Sequence, residues 1–211
     1  MVSKPSTGAK TKNGKLEAEP NLQQRSYLIQ QYGQKHFVPL HLPEDAIKQS
    51  IGALNQLLAD SITMYQLYKK HHWQVAGPTF YQLHLLLDKH AEEILETVDL
   101  IAERVQALGG VSIAMPFDVA EMTKIERPPT GEEDIPAMLA RTANAHSLMI
   151  GELREAIDLT AKNQDAGTND LLVSDVLRVH ERQIWFITQH LVDTPLVNSN
   201  ARDGGEAKSQ S

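Results

Sequence analysis

The chain has 211 residues, 41% of them hydrophobic and 22% charged, which is usual for a globular protein with one full core. It contains no cysteine, so disulfides, thiolate metal sites and a cysteine nucleophile are excluded, and its net charge of −7 argues against a globally basic nucleic-acid binder. No apolar run suits a membrane span and the N-terminus lacks the apolar segment of a signal peptide, so we expect a cytoplasmic protein with no membrane partner.

Four segments with helical periodicity follow one another between two polar ends. Residues 1–24 predict a disordered, partly basic arm and residues 198–211 a disordered tail, on either side of a domain at residues 25–197. The expected helices cover about residues 43–72, 78–108, 133 up to a turn at 163–167, and 168–191, with a short helix at 118–124 in the long middle connection. There are no strand signals of any length, so the pattern predicts an all-α four-helix bundle.

Two histidines and three acidic residues in the first half of the chain have spacings that suit metal ligation. They are His72, His84, Asp88, Asp99 and Glu103. On one helix the last four would point at roughly 0°, 40°, 60° and 100°, which places nitrogen and carboxylate ligands on one stripe. That mixture suits iron, manganese or zinc. A surface-facing pair of this kind taken alone is more often a weak ion pair, and the shared stripe is what favours a metal site.

The geometry of a helix predicts that this site needs a second subunit. The pair His84/Asp88 and the pair Asp99/Glu103 have centres about fifteen residues apart, or roughly 22 Å along the helix axis. One helix cannot bring both pairs to the same ion. Two copies of the helix, antiparallel about a two-fold axis, would place one pair of each chain near the other pair of its partner. Such an interface creates two equivalent sites.

An intrachain di-iron oxidase is the alternative for an all-α bundle with metal ligands. Bundles of that type carry Glu-x-x-His motifs on two helices. This sequence contains none: the third residue after Glu103 is Gln106, and after Glu181 it is Ile184. The intrachain centre is therefore disfavoured, and a monomeric mass in solution would be needed to favour it again.

A family resemblance gives these residues a more specific meaning. The ordered pattern His72-Trp73, Gly77-Pro78, Phe80, Leu83-His84, Asp88, Asp99 and Ala102-Glu103-Arg104 resembles the Dps family, the mini-ferritins or DNA-binding proteins from starved cells. The similarity extends over about residues 44–193 and includes the Gly-Thr-Asn-Asp-Leu-Leu stretch at 167–172. It leaves out both ends of the chain. It implies a ferritin-like four-helix bundle that assembles into a homododecamer.

The resemblance also implies an activity, that of a ferroxidase and iron-storage protein. Fe(II) would be oxidised, preferably by hydrogen peroxide, and stored as ferric oxyhydroxide inside the shell, which protects the cell from oxidative damage. His72, His84 and Asp88 of one subunit, with Asp99 and Glu103 of its partner, would be the catalytic metal ligands. Zinc is a further candidate metal at the same site in vitro.

Three further roles follow from the same resemblance. Trp73, next to a predicted ligand, would take up stray oxidising equivalents, although a packing role explains it equally well. Iron would enter through acidic three-fold pores, for which Asp165, Asp170 and Asp175 are the candidates. For Asp170, compensation of the helix dipole is the alternative.

DNA is a candidate partner through the N-terminal arm. Lys4, Lys10, Lys12 and Lys15 carry its positive charge, and twelve copies would add avidity, whereas Glu17 and Glu19 halve the net charge. The alternative function is therefore a nucleoid-associated protein that compacts DNA and binds iron secondarily. His36 and His41 precede the bundle and receive no predicted role.

Overall fold

A computed structural model describes the backbone at residues 15–16 and 26–193 and the side chains of residues 28–193. Nearly all of the predicted arm and the whole predicted tail lie outside these ranges. Two short strands, β1 (Lys15–Leu16) and β2 (Ser26–Tyr27), pair antiparallel ahead of the helices. No strand was predicted there, because two residues are too few to show an alternating pattern.

The helices form the predicted ferritin-like four-helix bundle with a short helix in the middle connection. The long elements begin and end within a few residues of the positions expected from the sequence. They are α1 (Glu44–Gln74), α2 (Phe80–Ala107), α3 (Pro116–Met122), α4 (Ile135–Lys162), α5 (Ala166–Leu171) and α6 (Arg178–Gln189). A π-helical turn at Leu172–Leu177 joins α5 to α6, so these three pieces make up the fourth long helix of the bundle. The π-helical turn was not predicted.

The core is formed by the apolar stripes of the long helices. α1 packs most extensively against α2, and α4 lies against both α1 and α6. Fully buried side chains on α1 and α2 include Leu54, Leu58, Met64, Leu87, Ile94 and Ile101, and α4 adds Met138, Leu139, Met149 and Leu153. In the described part of the chain no helix is long and apolar enough to cross a membrane.

The end of α2 is fixed by a glycine. Gly109 has a φ of 84°, a conformation that favours glycine, and its N–H bonds to the Gln106 carbonyl. A Cβ at this position would lie 2.5 Å from the carbonyl oxygen of His36, whose own N–H donates to the Gly109 carbonyl at 3.0 Å. The segment that precedes α1 is therefore held against the far end of α2.

The middle connection is held by a buried carboxylate on α1. Asp60 is completely buried, and its Oδ1 accepts from the Thr123 hydroxyl and the Lys124 backbone N–H, both at 2.7 Å. The Gln56 side chain donates to its Oδ2. A buried carboxylate is costly unless it is hydrogen-bonded. The bonds from Thr123 and Lys124 therefore hold the residues after α3 against the bundle.

Candidate metal centre

A tight hairpin between α1 and α2 brings two of the predicted ligands together. α1 ends at Gln74, Gly77 turns the chain with a φ of 103°, and the Phe80 N–H donates to the Gly77 carbonyl at 3.0 Å as α2 begins. His72 in the last turn of α1 and His84 in the second turn of α2 therefore face each other. Their rings stack, with centroids 3.8 Å apart and planes 23° from parallel.

Reciprocal hydrogen bonds hold both imidazoles. Nδ1 of His72 donates to the backbone carbonyl of His84 at 2.8 Å, and Nδ1 of His84 donates to the backbone carbonyl of His72 at 2.9 Å. Phe80 packs against the His84 ring, with centroids 5.0 Å apart. The ring positions are set by the hairpin itself.

These bonds determine the chemistry of both rings. A carbonyl oxygen only accepts, so Nδ1 must carry a proton in each ring, and in the neutral form of each ring the lone pair lies on Nε2. Metal-binding histidines are usually oriented in this way, with the other ring nitrogen bonded to a carbonyl or carboxylate. The arrangement suits a divalent transition metal.

Asp88 lies next to the histidine pair, but a lysine engages it. Oδ1 of Asp88 is 3.8 Å from Nε2 of His72 and accepts a hydrogen bond from Nζ of Lys69 at 2.5 Å. The hydrogen bond from Lys69 lowers the pKa of Asp88, and the nearby His72 and His84 lower it further, against the opposing effect of partial burial. Asp88 is thus held as a carboxylate, and Lys69 holds the place that a cation would take.

Asp99 and Glu103 lie further along the same helix and are solvent-exposed. α2 is continuous, so the two pairs remain roughly 22 Å apart along its axis. Across the described residues no group of three or more His, Asp or Glu side chains is placed to hold a metal ion. A single chain therefore holds the predicted ligands in two separate groups, which we call the half-sites of the predicted metal centre: His72, His84 and Asp88 towards one end of α2, and Asp99 with Glu103 towards the other.

Trp73 follows the first of these ligands and points away from the core. Its side chain is 68% exposed, and Nζ of Lys69 lies 6.0 Å from the ring centroid. Lys69 thus contacts both Asp88 and the tryptophan face. The exposure argues against a packing role for Trp73 within one chain.

Comparison with known proteins connects this geometry to a family. A ferritin-like domain model matches residues 51–197. The structure superposes on DpsC from Streptomyces coelicolor with a TM-score of 0.80 and 52% identity, over 81% of this chain and 99% of that one. A DNA protection during starvation protein from Halobacterium salinarum is 34% identical over 77% of this chain and 88% of its own length. A DNA protection during starvation protein from Agrobacterium fabrum is 31% identical over 71% of this chain and 92% of its own length.

The chain belongs to the Dps family. The resemblance inferred from the spacing of the five ligand-type residues is thereby confirmed, as is the ferritin-like fold. The assignment of individual ligands in this Dps-family chain, and the pairing of half-sites between subunits, stay predictions.

The three pore candidates differ sharply in their surroundings. Asp165 is only 1% exposed and caps α5, where it accepts from the Thr168 N–H at 3.1 Å and from the Ser50 hydroxyl at 2.7 Å. Nη2 of Arg104 donates to Oδ1 of Asp165 at 2.8 Å, the same oxygen that accepts from the Thr168 N–H. This geometry assigns Asp165 to the fold and not to the wall of an open pore. Asp170 and Asp175 are exposed and stay candidates.

Arg104 belongs to the same buried cluster, a role that sequence reasoning missed. Its Nε donates to the Thr168 hydroxyl at 2.9 Å, and a Cβ at Gly167 would lie 3.0 Å from its Nη2. Burial raises the pKa of Asp165, but hydrogen bonds from Thr168 and Ser50 and the charge of Arg104 outweigh that effect and lower it overall. The glycine at position 167 was the available sequence signal, since a side chain there would crowd the guanidinium.

The bundle interior contains a second group of polar side chains that was not predicted. We refer to it as the buried histidine network. Its members lie at apolar stripe positions of four helices, for example His90 between Leu87 and Ile94 on α2. That placement was the signal in the sequence. The network consists of Tyr68 and His71 on α1, His90 on α2, Thr142 and His146 on α4, and His180 and Gln183 on α6.

Proposed function

We propose that this Dps-family protein is a ferroxidase that oxidises Fe(II) with hydrogen peroxide at sites shared between two subunits. Membership of the family supports the general part of the proposal, which is iron storage and protection against oxidative stress. The observation that carries the specific part is the reciprocal bonding of His72 and His84, which leaves both Nε2 atoms free for a metal.

The half-sites complement each other in chemistry. One offers two imidazole nitrogens and the Asp88 carboxylate, and the other offers the exposed side chains of Asp99 and Glu103. Carboxylates are hard ligands that favour Fe(III) over Fe(II) and so favour oxidation. A two-fold axis that joins the half-sites would complete two equivalent sites per pair of chains.

Iron is the substrate of the proposed reaction. Two Fe(II) ions each give one electron to hydrogen peroxide, its O–O bond breaks, and the ferric product hydrolyses with release of protons. His72 and His84 would bind the iron through their Nε2 atoms. Asp88 must release Lys69 before it binds the iron. Until then, the hydrogen bond from Lys69 keeps the Asp88 carboxylate ionised.

Assembly and iron entry complete the proposal. The chain would form a homododecamer with the oxidised iron inside, and its mass in light scattering would be twelve times that of the chain. Asp170 and Asp175 would line the iron entrances at three-fold axes, where rings of carboxylates attract cations. Replacement of both by Asn should slow iron uptake into the shell while leaving the half-sites unchanged.

The ferroxidase proposal is tested by anaerobic loading with Fe(II) followed by a pulse of hydrogen peroxide, with ferric absorbance as the readout. A combined Asp99→Ala, Glu103→Ala variant should lose about 100-fold in rate, since loss of supporting groups at metal sites already costs roughly 10- to 100-fold. The matched control is Glu92→Ala, Glu96→Ala, which removes the same charge from exposed positions of the same helix. Equal rates in both variants, with assembly intact, would refute the site assignment.

A second candidate function is suggested by the relatives named for DNA protection during starvation. Lys4, Lys10, Lys12 and Lys15 would supply the contacts to phosphates; the first three lie outside the described residues. Removal of residues 1–20 should abolish a salt-dependent gel shift of duplex DNA if the arm binds DNA. A shift that survives the truncation would exclude the arm as the DNA-binding segment.

A further inference from the structure

The buried histidine network is centred on a tyrosine with no access to solvent. Tyr68 is completely buried on α1, and its hydroxyl lies 2.5 Å from Nε2 of His146 and 3.2 Å from Nδ1 of His90. Nδ1 of His146 lies 2.9 Å from Nδ1 of His180. Tyr68, His146 and His180 thus form a continuous hydrogen-bonded chain across three helices.

The distances indicate which groups donate. Hydroxyl donors make shorter bonds than N–H donors, so the 2.5 Å contact assigns the Tyr68 hydroxyl as donor to His146 Nε2. Nδ1 of His146 then carries a proton and donates to Nδ1 of His180, while His90 Nδ1 donates to the phenol oxygen. Nε2 of His180 has no hydrogen-bond partner within the described part of the protein.

The resting protonation states suit a transfer along this chain. Burial raises the pKa of the Tyr68 phenol well above its usual value, with a smaller contribution from Glu93. Burial lowers the pKa of His146 well below its usual value, helped by the nearby His180 and His90, and lowers that of His180 to about 4. At neutral pH the tyrosine is therefore protonated, and both imidazoles are neutral and able to accept a proton.

We propose that Tyr68 is a redox site that stores one oxidising equivalent in the bundle core, with His146 as its proton acceptor and His180 as the next acceptor. Tyr68 loses an electron to a one-electron oxidant, its O–H bond breaks, and the proton forms an N–H bond at Nε2 of His146. The proton on Nδ1 of His146 then passes to Nδ1 of His180. The products are a neutral phenoxyl radical, one imidazolium and the reduced oxidant.

The position of Tyr68 relates this site to the metal chemistry. Tyr68 precedes His72 by one helical turn, about 6 Å along α1. A half-site that holds a single Fe(II) can give hydrogen peroxide only one electron, which produces a hydroxyl-radical-type oxidant. Oxidation of Tyr68 would consume that oxidant, and a later Fe(II) ion would return the electron as the proton moves back. This source of oxidant rests on the proposed ferroxidase function.

The geometry distinguishes Tyr68 from the other aromatic candidates. The two tryptophans, Trp73 and Trp185, are 68% and 59% exposed, so their radicals would be open to solvent. A phenoxyl radical without solvent contact is shielded from reaction with small molecules. The buried acceptor at 2.5 Å also lets the proton leave together with the electron, so that no positively charged phenol radical forms in the low-dielectric interior.

The first experiment mixes the assembled protein, loaded with less Fe(II) than one ion per site, with excess peroxide and freezes it for electron paramagnetic resonance. The expected result is a tyrosyl spectrum whose hyperfine splitting collapses when the unmodified chain carries ring-deuterated tyrosine. Tyr68→Phe should lose that signal, while Tyr65→Phe, one turn earlier on α1, should keep it. His146→Leu should lower the yield of the tyrosyl radical, because the phenol proton loses its acceptor, and should raise the largest g value of any radical that still forms, because the hydrogen bond is lost. Full signal in Tyr68→Phe would overturn the proposal.

A second experiment separates this proposal from the ferroxidase function. Iron-free protein is oxidised by flash-generated ruthenium(III) trisbipyridine, and the part of the radical signal that depends on Tyr68 is measured. The proposal predicts that this Tyr68-dependent radical signal appears in the unmodified chain and in Tyr65→Phe. Its presence here, with none after iron and peroxide, would support the redox site and contradict the metal half-site as the source of its oxidant. Its absence here, with normal iron oxidation, would overturn the redox site alone.

Discussion

The edge of the bundle and its interior both contain clustered histidines, and the polar groups of the two regions differ in whether they find partners within one chain. At the edge, His72 and His84 are fixed by each other's backbone, yet their Nε2 atoms make no hydrogen bond within the described residues, and Asp99 and Glu103 lie far along α2. In the interior, Tyr68 and His146 find their partners within one chain. Groups that are satisfied internally indicate a function of the single subunit, while oriented but unsatisfied groups indicate a second subunit.

At neutral pH the largest effect on stability is expected where a charge pair is buried. Asp165→Ala would leave Arg104 without its counter-charge and should lower the free energy of unfolding by about 3 kcal/mol. Asp170→Ala, at an exposed position of the same helix, should cost less than about 0.5 kcal/mol. Urea unfolding of both variants measures the difference. Equal losses would mean that the buried cluster does not stabilise the start of α5.

The start of α5 shows what sequence could predict and what it could not. Periodicity, Pro136 and the glycines located every helix to within a few residues, because buried stripes and breakers are local features. Five ligand-type residues identified the family, and they predict a metal centre that needs two chains. The burial of Asp165 could not be predicted from the sequence, because its partners Ser50 and Arg104 are distant from it along the chain. An acidic residue before a helix looks the same whether it caps the helix or lines a pore.

The same reasoning explains the other omissions. Lys69 was not predicted to bond Asp88, because the contact depends on the angle at which α1 and α2 cross and not on a local pattern. The buried histidine network was partly visible, as histidines at apolar stripe positions. Only the packed structure shows that residues from four helices meet. Long-range pairing of polar groups is what a single sequence leaves undetermined.

A separate effect on stability, which develops only below neutral pH, is expected from the buried histidines. In the folded protein the pKa of His146 lies well below the ordinary histidine value of 6.5, and that of His180 is about 4. At pH values between the ordinary and the lowered pKa, these histidines bind protons in the unfolded chain but not in the folded one. The free energy of unfolding should therefore fall as pH drops from 6.5 towards 4, by about 1.4 kcal/mol per pH unit for each histidine. Urea unfolding of His180→Asn should show a shallower slope. An unchanged slope would mean that His180 binds a proton in the folded state.

The smallest effect concerns the lysine at the edge. Lys69→Met removes the ammonium that bonds Asp88 while keeping an unbranched side chain against Trp73. Because exposed ion pairs contribute about 0.2–1 kcal/mol, affinity for Fe(II) should rise by a factor of about 1.4 to 5. Anaerobic titration calorimetry measures it, with Lys89→Met, an exposed lysine one residue after Asp88, as the control. Weaker binding in Lys69→Met alone would show that Lys69 supports the site.

The most direct test of the shared site uses two inactive parents in one shell. One subunit carries His72→Ala and His84→Ala, the other carries Asp99→Ala and Glu103→Ala, and both are co-expressed with different tags so that mixed shells can be isolated. In random mixtures about one quarter of the interfacial sites would receive all their ligands. Recovery of about a quarter of the wild-type rate of Fe(II) oxidation is the predicted result. Mixed shells as inactive as either parent would contradict a site built from two subunits.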